Sequence, residues 1–478
     1  MVQYYCTYSP RDALSTCPPT PIIPRRDAEP PTRGRDIHCT RMSQSFLTAA
    51  ASRATDDADA LGRALTPVEQ MWLAQSSLLC LVARLSEHLT QAFTQEVLTE
   101  RVMADAKTNP FLLVGIDVAT MRFKRSSGPK VTSETLAEDD LPAVRAAAQC
   151  QLQLGIDRAI CLARVHLLRS SSGGESYLLL VADHLCFDGR SLMAWLEGLT
   201  EPPVSVASDP VLPLIAWTDL VPASTSFDSP YKSPVDTIRL LPTTPPPDAA
   251  ETASMVVEDV VVTLDAATCA SLRARTKERG TTLNAPLMAA FLAGMADAAL
   301  KAREADNAGV RRAVDVRSVC AVDLRARLGI PLRYMNSSSA VVPVHASFEC
   351  TEGGDAVDGA QLWPAALAAQ AVMLKHIEDG EAFRLHDITK RGAFAEFGPY
   401  FDILCLWSNM GVVKATGIET CEVHLRGSAT NPIISGHPIT TGGVLALTLT
   451  FSPAHHARAT VEYAGRRFLH HIHLLATA

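Results

Sequence analysis

The residues most able to do chemistry stand together in the segment Ala182-Asp-His-Leu-Cys-Phe-Asp-Gly189. A histidine titrates near neutral pH, so His184 could act as a general base that takes a proton from a hydroxyl or an amine. Asp188 could hold the loop by pairing with a distant arginine rather than by touching a substrate. Gly189 would supply the positive φ that a sharp turn can need. The segment therefore predicts a histidine presented on a tight loop.

The flanking residues can position this loop. Residues 176–182 form a short apolar run, which predicts a buried strand. Residues 191–199 place four large apolar side chains at helical spacing, so a helix is expected directly after the loop. A motif this short also fits an ordinary core histidine on a turn, and the motif alone does not decide between the two interpretations.

The loop resembles the HHxxxDG motif of the CoA-dependent acyltransferase superfamily, which includes chloramphenicol acetyltransferase, condensation domains of non-ribosomal peptide synthetases and alcohol acetyltransferases. The second histidine of that motif falls on His184, the aspartate on Asp188 and the glycine on Gly189. Asp183 stands where the motif has its first histidine, which resembles the alcohol acetyltransferase and polyketide-associated branch. The D-F-G-W-G motif of the plant BAHD branch is absent from the sequence.

Four further segments resemble the same superfamily, in the same order, between residues 65 and 470. They are Leu65-Thr-Pro-Val-Glu69, Thr282-Leu-Asn-Ala-Pro-Leu-Met-Ala-Ala-Phe291, Val322-Asp-Leu-Arg325 with Asn336 and Val341-Val-Pro343, and Trp407-Ser-Asn-Met-Gly411. The joint pattern is far more specific than any single segment. It implies an α/β (α+β) fold of two chloramphenicol-acetyltransferase-like lobes, each a mixed sheet with helices, and an active-site tunnel between them.

The resemblance also implies roles for individual residues near the middle of that tunnel. His184 would be the general base, Asp183 and Gly189 would support the loop, and Arg325 would be the partner of Asp188. The alternative for Arg325 is a solvated surface position, which is the commoner environment of arginine.

A second loop would complete the site, because a tetrahedral oxyanion needs hydrogen-bond donors. Ser408, Asn409 and nearby backbone N–H groups are the candidates, and Gly411 belongs to the same tunnel loop. A turn held together by the side chain of Asn409 is an equally weighted alternative.

The function implied by the resemblance is transfer of an acyl group from a thioester of CoA or of an acyl-carrier protein to an alcohol or amine. The thioester would be a co-substrate, and no resident cofactor or metal is expected. A thioester hydrolase that uses the same histidine and an inactive, condensation-like scaffold that binds acyl chains remain alternatives. A carrier protein would act in trans, because the remaining length holds no carrier domain. Since both lobes would lie in one chain, a monomer is expected.

Composition narrows the class of partner. The 478 residues are 47% hydrophobic and 20% charged with a net charge of −8, and no basic stripe is visible, which argues against nucleic-acid binding. The 12 cysteines include no C-x-x-C pair, so reduced cysteines and a cytoplasmic location are expected. The Ala-rich run at residues 283–300 includes Asp297 and Pro286 and predicts a buried core helix rather than a membrane span.

Proline-rich stretches divide the chain into predicted domains. Residues 1–60 are interpreted as a disordered tail or a mis-assigned start, with Met42 as an alternative initiator. A transit peptide is less consistent with the acidic residues there. The first lobe is expected at residues 61–221, a Pro-rich linker at 222–252 and the second lobe at 253–478. Order should begin with a capping box at Thr66 and a helix that continues to Arg84 or beyond.

In the second half, strands and helices alternate. Strands are predicted at residues 255–264, 314–324, 340–344, 402–407 and 445–451, and helices at 266–279, 283–300, 363–377 and 457–475. Five histidines near the C-terminus invite a metal site, namely His455, His456, His470, His471 and His473. No Asp, Glu or Cys nearby completes a ligand set, so packing or solvated roles are favoured over zinc.

Overall fold

The computed structural model describes residues 62–137, 140–171, 173–201, 214–221, 227, 257–304, 313–350, 356–393, 405–427 and 432–478. The tail predicted for residues 1–60 lies outside the described residues, and so does the linker predicted for 222–252, apart from Phe227. The lobe boundaries assigned to these two segments therefore stay predictions.

The first half of the chain begins with a helix and then alternates strands with helices. Its helices are α1 (Pro67–Gln75), α2 (Glu87–Ala92), α3 (Gln95–Thr108), α4 (Leu141–Leu154) and α5 (Gly189–Thr200). Its strands are β1 (Leu78–Leu85), β2 (Val114–Asp117), β3 (Arg122–Arg125), β4 (Lys130–Leu136), β5 (Ala163–Ser170) and β6 (Ser176–Asp183). The predicted strand and helix on either side of the His184 loop are therefore both present.

The second half has longer helices and a larger sheet. Its helices are α6 (Ala266–Glu278), α7 (Asn284–Glu304), α8 (Arg325–Leu328), α9 (Leu362–Glu378), α10 (Arg384–Arg391) and α11 (Arg458–Thr477). Its strands are β7 (Glu258–Leu264), β8 (Ala313–Asp323), β9 (Ser339–Glu349), β10 (Cys405–Trp407), β11 (Gly411–Val412), β12 (Ile418–Arg426), β13 (Ile434–Thr441) and β14 (Val444–Phe451). Each element predicted in this half is found, with described ends shifted by up to five residues. The first residues predicted for two of the strands, 255–256 and 402–404, lie outside the described residues.

Two large sheets organise these elements. The first has the order β12-β1-β6-β5-β4, and the second has the order β7-β14-β13-β10-β8-β9 with β11 beside β13. Both sheets are mixed, because β4 runs parallel to β5 in the first and β10 runs parallel to β8 and β13 in the second. The expected α/β (α+β) fold, with two lobes that each contain a mixed sheet and helices, is confirmed.

One strand crosses between the lobes. The strand β12 comes late in the chain, yet it pairs antiparallel with β1 at the edge of the first sheet, with Leu78 opposite Arg426 and Ala83 opposite Cys421. A boundary at residue 253 assigns this strand to the second lobe. In the structure the second half of the chain thus completes the sheet of the first lobe, which ties the two lobes together.

The first helix begins as expected and ends earlier than expected. Thr66 accepts a hydrogen bond from the N–H of Glu69, and Glu69 accepts one from the N–H of Thr66, which makes the predicted capping box. The chain then turns at Ser76, where φ is +52°, and residues Leu78–Leu85 form strand β1. The helix prediction up to Arg84 is wrong because a run of apolar residues buried on both faces fits a strand as well as a helix.

Helix α7 is the core of the second lobe. One window within it, Asn284–Ala302, is long and apolar enough to cross a membrane, and 89% of that window is buried inside the protein. Gly294 lets α11 approach closely, since an added Cβ would lie 2.8 Å from the carbonyl oxygen of Ala464. Both observations are typical of a core helix packed between a sheet and a neighbouring helix.

Candidate active site

His184 begins the loop at the end of β6, where its backbone N–H donates to the carbonyl of Ser77 at 3.0 Å. Its ring is half-buried and stacks on Trp72 of α1, with ring centroids 4.6 Å apart and an interplanar angle of 16°. The imidazole is therefore fixed in orientation by its strand on one side and by an indole on the other.

The protonation state of His184 follows from these surroundings. Burial lowers the pKa of His184, and the carbonyls of His184 and Phe187 and the carboxylate of Asp188 oppose that shift only in part. Nδ1 is enclosed without a hydrogen-bond partner. A neutral ring at pH 7 can accept a proton, and with Nδ1 enclosed the acceptor would be Nε2.

Asp188 and Arg325 form a two-pronged ion pair behind the loop. The guanidinium Nη1 lies 2.9 Å from one carboxylate oxygen and Nη2 lies 2.9 Å from the other, and both side chains are buried. Burial alone would raise the pKa of Asp188, but Arg325 and hydrogen bonds from two backbone N–H groups lower it below its usual value. The pair joins the first residues of α5 to the second lobe.

The carboxylate of Asp188 also fixes the backbone on both sides of the lobe junction. One oxygen accepts from the N–H of Ser191 at 2.8 Å and so caps α5. The other oxygen accepts from the N–H of Ser338 at 2.9 Å. Arg325 adds a bond from Nη2 to the carbonyl of Asn336 at 2.5 Å. Both oxygens of the carboxylate are therefore engaged in holding the loop and the lobe junction.

Gly189 serves a close approach rather than a turn. Its φ is not positive, so the predicted conformational reason for glycine is wrong. An added Cβ would instead lie 1.8 Å from Cε of Met410. Met410 belongs to the loop between β10 and β11, so the absence of a side chain at Gly189 lets the two predicted site loops touch across the lobes.

Hydrogen bonds fix the Ser408–Gly411 loop along the edge of β13. The N–H of Ser408 donates to the carbonyl of Gly436, and the N–H of Met410 donates to that of Pro438, at 2.9 Å each. The side chain of Asn409 donates to Asn284 and accepts from the N–H of Gly411, again at 2.9 Å each.

These bonds reduce the set of oxyanion donors. The backbone N–H groups of Ser408 and Met410 already donate to β13, and that of Gly411 donates to the side chain of Asn409. The side chain of Asn409 bridges its own loop and α7, which fits the alternative of a turn held together by this side chain. Gly411 has a φ of +92°, which explains a glycine there. Of the predicted candidates, the Ser408 hydroxyl and the backbone N–H of Asn409 are left for an oxyanion.

Solved structures of other proteins share this fold. The chain aligns with a trichothecene 15-O-acetyltransferase from Fusarium sporotrichioides at a TM-score of 0.58 and 11% identity, over 87% of this chain and 95% of that one. It aligns with the first condensation domain of the calcium-dependent antibiotic synthetase at a TM-score of 0.59 and 13% identity, over 87% and 96%. The chain has the condensation-domain and CoA-dependent acyltransferase fold.

A third structure with this fold is polyketide synthase associated protein 5 from Mycobacterium tuberculosis, with a TM-score of 0.54 and 16% identity over 85% of this chain and 98% of that one. No protein-family model matches the sequence. No curated protein matches it either. Identities this low show the fold alone, so the activity has to be argued from the site.

Asp183 marks where this chain departs from the HHxxxDG motif. Its carboxylate lies 2.5 Å from Nε of Arg158 and accepts from the N–H of Leu185 at 3.1 Å, and it is fully buried. Arg158 also donates to the carbonyl of Leu73 at the end of α1. Asp183 therefore holds the loop through the N–H of Leu185 and, through Arg158, links it to the helix that contains Trp72.

A crevice beside the loop was not foreseen. Its walls come from α1, the His184 loop, the turn at Trp217–Leu220 and the chain before β9. They include Glu69, Trp72, Phe111, Leu185, Cys186, Ile215, Trp217, Thr218, Asn336 and Ser337. Because Trp72 stacks on His184, this crevice borders the candidate base. Trp72, the one aromatic residue of α1, carried no functional signal in the sequence.

The C-terminal histidines have separate contacts. His471 lies 2.7 Å from the carboxylate of Asp297, which also binds Arg467, and His456 bonds to the carbonyl of Pro432. Nδ1 of His473 lies 2.7 Å from the carbonyl oxygen of Leu469 in the same helix. Within the described ranges, no group of three or more His, Cys, Asp or Glu side chains could hold a metal ion.

Proposed function

We propose that this protein is an acyltransferase that moves an acyl group from a CoA or carrier-protein thioester to an alcohol or amine, with His184 as the general base. The observation that carries the proposal is the state of the imidazole: half-buried, of lowered pKa and held on a loop that reaches both lobes. A general base needs a pKa below or near the working pH and a fixed position.

The transfer would proceed in two steps. Nε2 of His184 removes the proton of the acceptor hydroxyl or amine as its oxygen or nitrogen forms a bond to the thioester carbonyl carbon. The carbonyl oxygen becomes an oxyanion, for which the hydroxyl of Ser408 is a donor. The tetrahedral intermediate then collapses, the carbon–sulfur bond breaks, and His184 passes the proton that it took from the acceptor to the leaving thiolate.

The residues that hold the His184 loop support the first step. Asp188 is not placed to relay a proton, because Arg325 and two backbone N–H groups occupy its oxygens. Its contribution is to hold the loop so that the imidazole does not swing away from the acceptor. Fixed orientation of this kind lowers the entropic part of the barrier. All of these parts come from one chain, which is consistent with a monomer.

The test is release of free thiol by the purified protein. Acyl-CoAs of rising chain length are offered with mixed alcohols and amines, and wild type is compared with His184→Ala. We expect acceptor-dependent release that falls by about 10²–10⁴-fold in the variant. The exposed His473 provides a matched control, since His473→Gln should release thiol at the wild-type rate.

Three outcomes separate the candidate functions. Acceptor-dependent release that is lost in His184→Ala supports transfer, and the panel then identifies both substrates. Release that needs no acceptor supports a thioester hydrolase. A folded wild type that releases no thiol from any acyl-CoA or acyl-carrier protein contradicts both enzymes and leaves the acyl-binding scaffold.

A further inference from the structure

The second sheet presents two different faces. Gly436 of β13 faces the helices, since an added Cβ would lie 2.8 Å from the ring of Phe291 in α7. His437 follows it in the strand and so points to the opposite side. On that side Asp259 of β7 contacts His424 of β12, with 2.8 Å between the carboxylate and Nδ1. Because β12 belongs to the first sheet, His437 faces the first lobe.

This inner face is polar and incompletely paired. His437 and Thr448 are direct partners across β13 and β14, and Thr441 lies farther along the same side of β13. They are 5%, 0% and 4% exposed. The hydroxyl of Thr441 meets the thiol of Cys421, whereas Nε2 of His437 and the hydroxyl of Thr448 have no hydrogen-bond partner. Buried polar atoms in native proteins are nearly always paired. The inner face beside His437 is therefore a polar region between the lobes that the protein alone does not fully pair.

His437 also lies beside the loops of the candidate active site. The carbonyls before and after it, those of Gly436 and Pro438, accept hydrogen bonds from the Ser408–Gly411 loop. From that loop Met410 reaches Gly189, at the first turn of α5 after the His184 loop. Burial, with His184 among the smaller causes, lowers the pKa of His437 to about 4. The ring is therefore neutral at pH 7 and can donate one hydrogen bond.

We propose that His437 is a second catalytic residue, whose ring N–H donates a hydrogen bond from the second lobe to the carbonyl oxygen of the thioester. This inference depends on the proposed acyl transfer. The oxygen gains negative charge as the acceptor attacks, so a donor fixed in a buried site stabilises the transition state more than the bound substrate. His184 would act on the acceptor from the first lobe, and His437 on the carbonyl from the second.

The test compares two substitutions that separate the hydrogen bond from the packing. His437→Phe keeps a ring of similar size without a donor, and we expect kcat to fall by about 10²–10³-fold. His437→Gln keeps an N–H at a similar reach, and we expect it to recover most of that loss. The midpoint of thermal unfolding should stay the same or rise in His437→Phe, because an unpaired buried polar atom is removed.

His456 provides a matched control, since it is equally buried but its Nε2 is paired with the carbonyl of Pro432. His456→Phe should lower the unfolding midpoint and leave kcat unchanged in the temperature range where the variant is folded. A lowered kcat with an unchanged or raised midpoint is therefore a signature of His437 alone, and not of buried histidines in general.

The outcomes distinguish this inference from the function on which it depends. Wild-type turnover in His437→Phe, with His184→Ala inactive, would overturn the role of His437 and leave acyl transfer standing. A lowered midpoint together with a loss that His437→Gln does not recover would show a structural role instead. If the wild type itself releases no thiol, the proposed function fails and the role of His437 fails with it.

Discussion

Arg325 holds both carboxylate oxygens of Asp188, at 2.9 Å each, although neither side chain reaches solvent. The two residues are 137 positions apart and belong to different lobes. The carboxylate also caps α5 through Ser191 and binds the N–H of Ser338. The lobe junction and the His184 loop therefore share one set of hydrogen bonds, and damage to either should reach the other.

The first prediction concerns this ion pair. Asp188→Asn removes the buried counter-ion of Arg325 and leaves its guanidinium with the partly exposed Asp323, 3.0 Å away. Breaking a buried pair typically costs roughly 3–5 kcal/mol, which is the upper limit here because Asp323 remains. We expect a loss of up to that size in the free energy of unfolding, measured by chemical denaturation. Thiol release should fall as well, because the loop that carries His184 loses its anchor.

The exposed pair between Arg333 and Glu201, 2.7 Å apart, is the control for that measurement. Its side chains are 70% and 39% exposed, so Glu201→Gln should cost less than about 1 kcal/mol. Equal losses in the free energy of unfolding of Asp188→Asn and Glu201→Gln would show that burial does not make the Asp188–Arg325 pair more stabilising than an exposed pair.

The second prediction concerns the contact between Gly189 and Met410. In Gly189→Ala the new methyl group must displace the end of the Met410 side chain, from which it would lie 1.8 Å. Because that side chain is flexible, we expect a stability loss of only about 1–2 kcal/mol, with a larger effect on thiol release as the Ser408–Gly411 loop moves.

A double-mutant cycle with Met410→Ala checks the cause. If the clash is the source of the loss, Gly189→Ala should cost less in the Met410→Ala background, with a coupling of about 0.5–3 kcal/mol. Strict additivity of the two substitutions would place the origin of the loss elsewhere, in the backbone of Gly189 itself.

The local parts of the site could be predicted from the sequence. The apolar run before His184 and the helical spacing after it defined the strand and helix that hold the loop. The resemblance supplied Arg325 as the partner of Asp188, a contact that no local pattern contains. In the structure these residues touch. Gly189 was singled out for the wrong reason, since its φ is ordinary and its role is a contact with a residue 221 positions away.

Other parts could not be predicted because they depend on how elements face one another. Trp72 contacts His184 only because α1 ends at Gln75 and the chain returns as β1, whereas the predicted helix continued to Arg84. His437 faces the first lobe because the other face of β13 packs against the helices. Alternation along a strand does not show which of its two faces meets the helices. The crossing of β12 into the first sheet also leaves no trace in local periodicity.

The third prediction concerns pH and the cluster between the lobes. His424 contacts Asp259 and Glu422, and these carboxylates raise its pKa to about 9 although burial acts in the opposite direction. An unfolded histidine titrates near 6.5. The stabilisation is therefore fully present below about pH 6.5 and is lost as the pH rises to about 9, by at most roughly 3 kcal/mol.

The free energy of unfolding of the wild type, relative to that of His424→Gln, should thus decline between pH 6.5 and 9. Buried histidines of lowered pKa, such as His437, and buried cysteines of raised pKa, such as Cys80, titrate in both proteins and cancel in this difference. His424→Gln should also be less stable overall at pH 6.5. A difference that does not change with pH would show that His424 does not contribute to the pH dependence.

The last prediction concerns Trp72 and the pH dependence of activity. A base must be neutral, and burial lowers the pKa of His184, so kcat/KM for thiol release should fall only as the pH drops below 6.5. Trp72 covers one face of the imidazole at 4.6 Å. In Trp72→Leu the ring becomes better solvated, its pKa should move up toward 6.5, and the acid limb of the profile should move up with it.

Trp217→Leu is the matched control, because Trp217 lines the same crevice but stacks on Phe383 and not on His184. It can change the affinity for substrate, yet the acid limb should stay where it is in the wild type. If both tryptophan variants shift the limb equally, the opening of the crevice and not the stacking contact sets the pKa of His184. If neither shifts it, the limb reports a different group, and His184 loses its assignment as the titrating base.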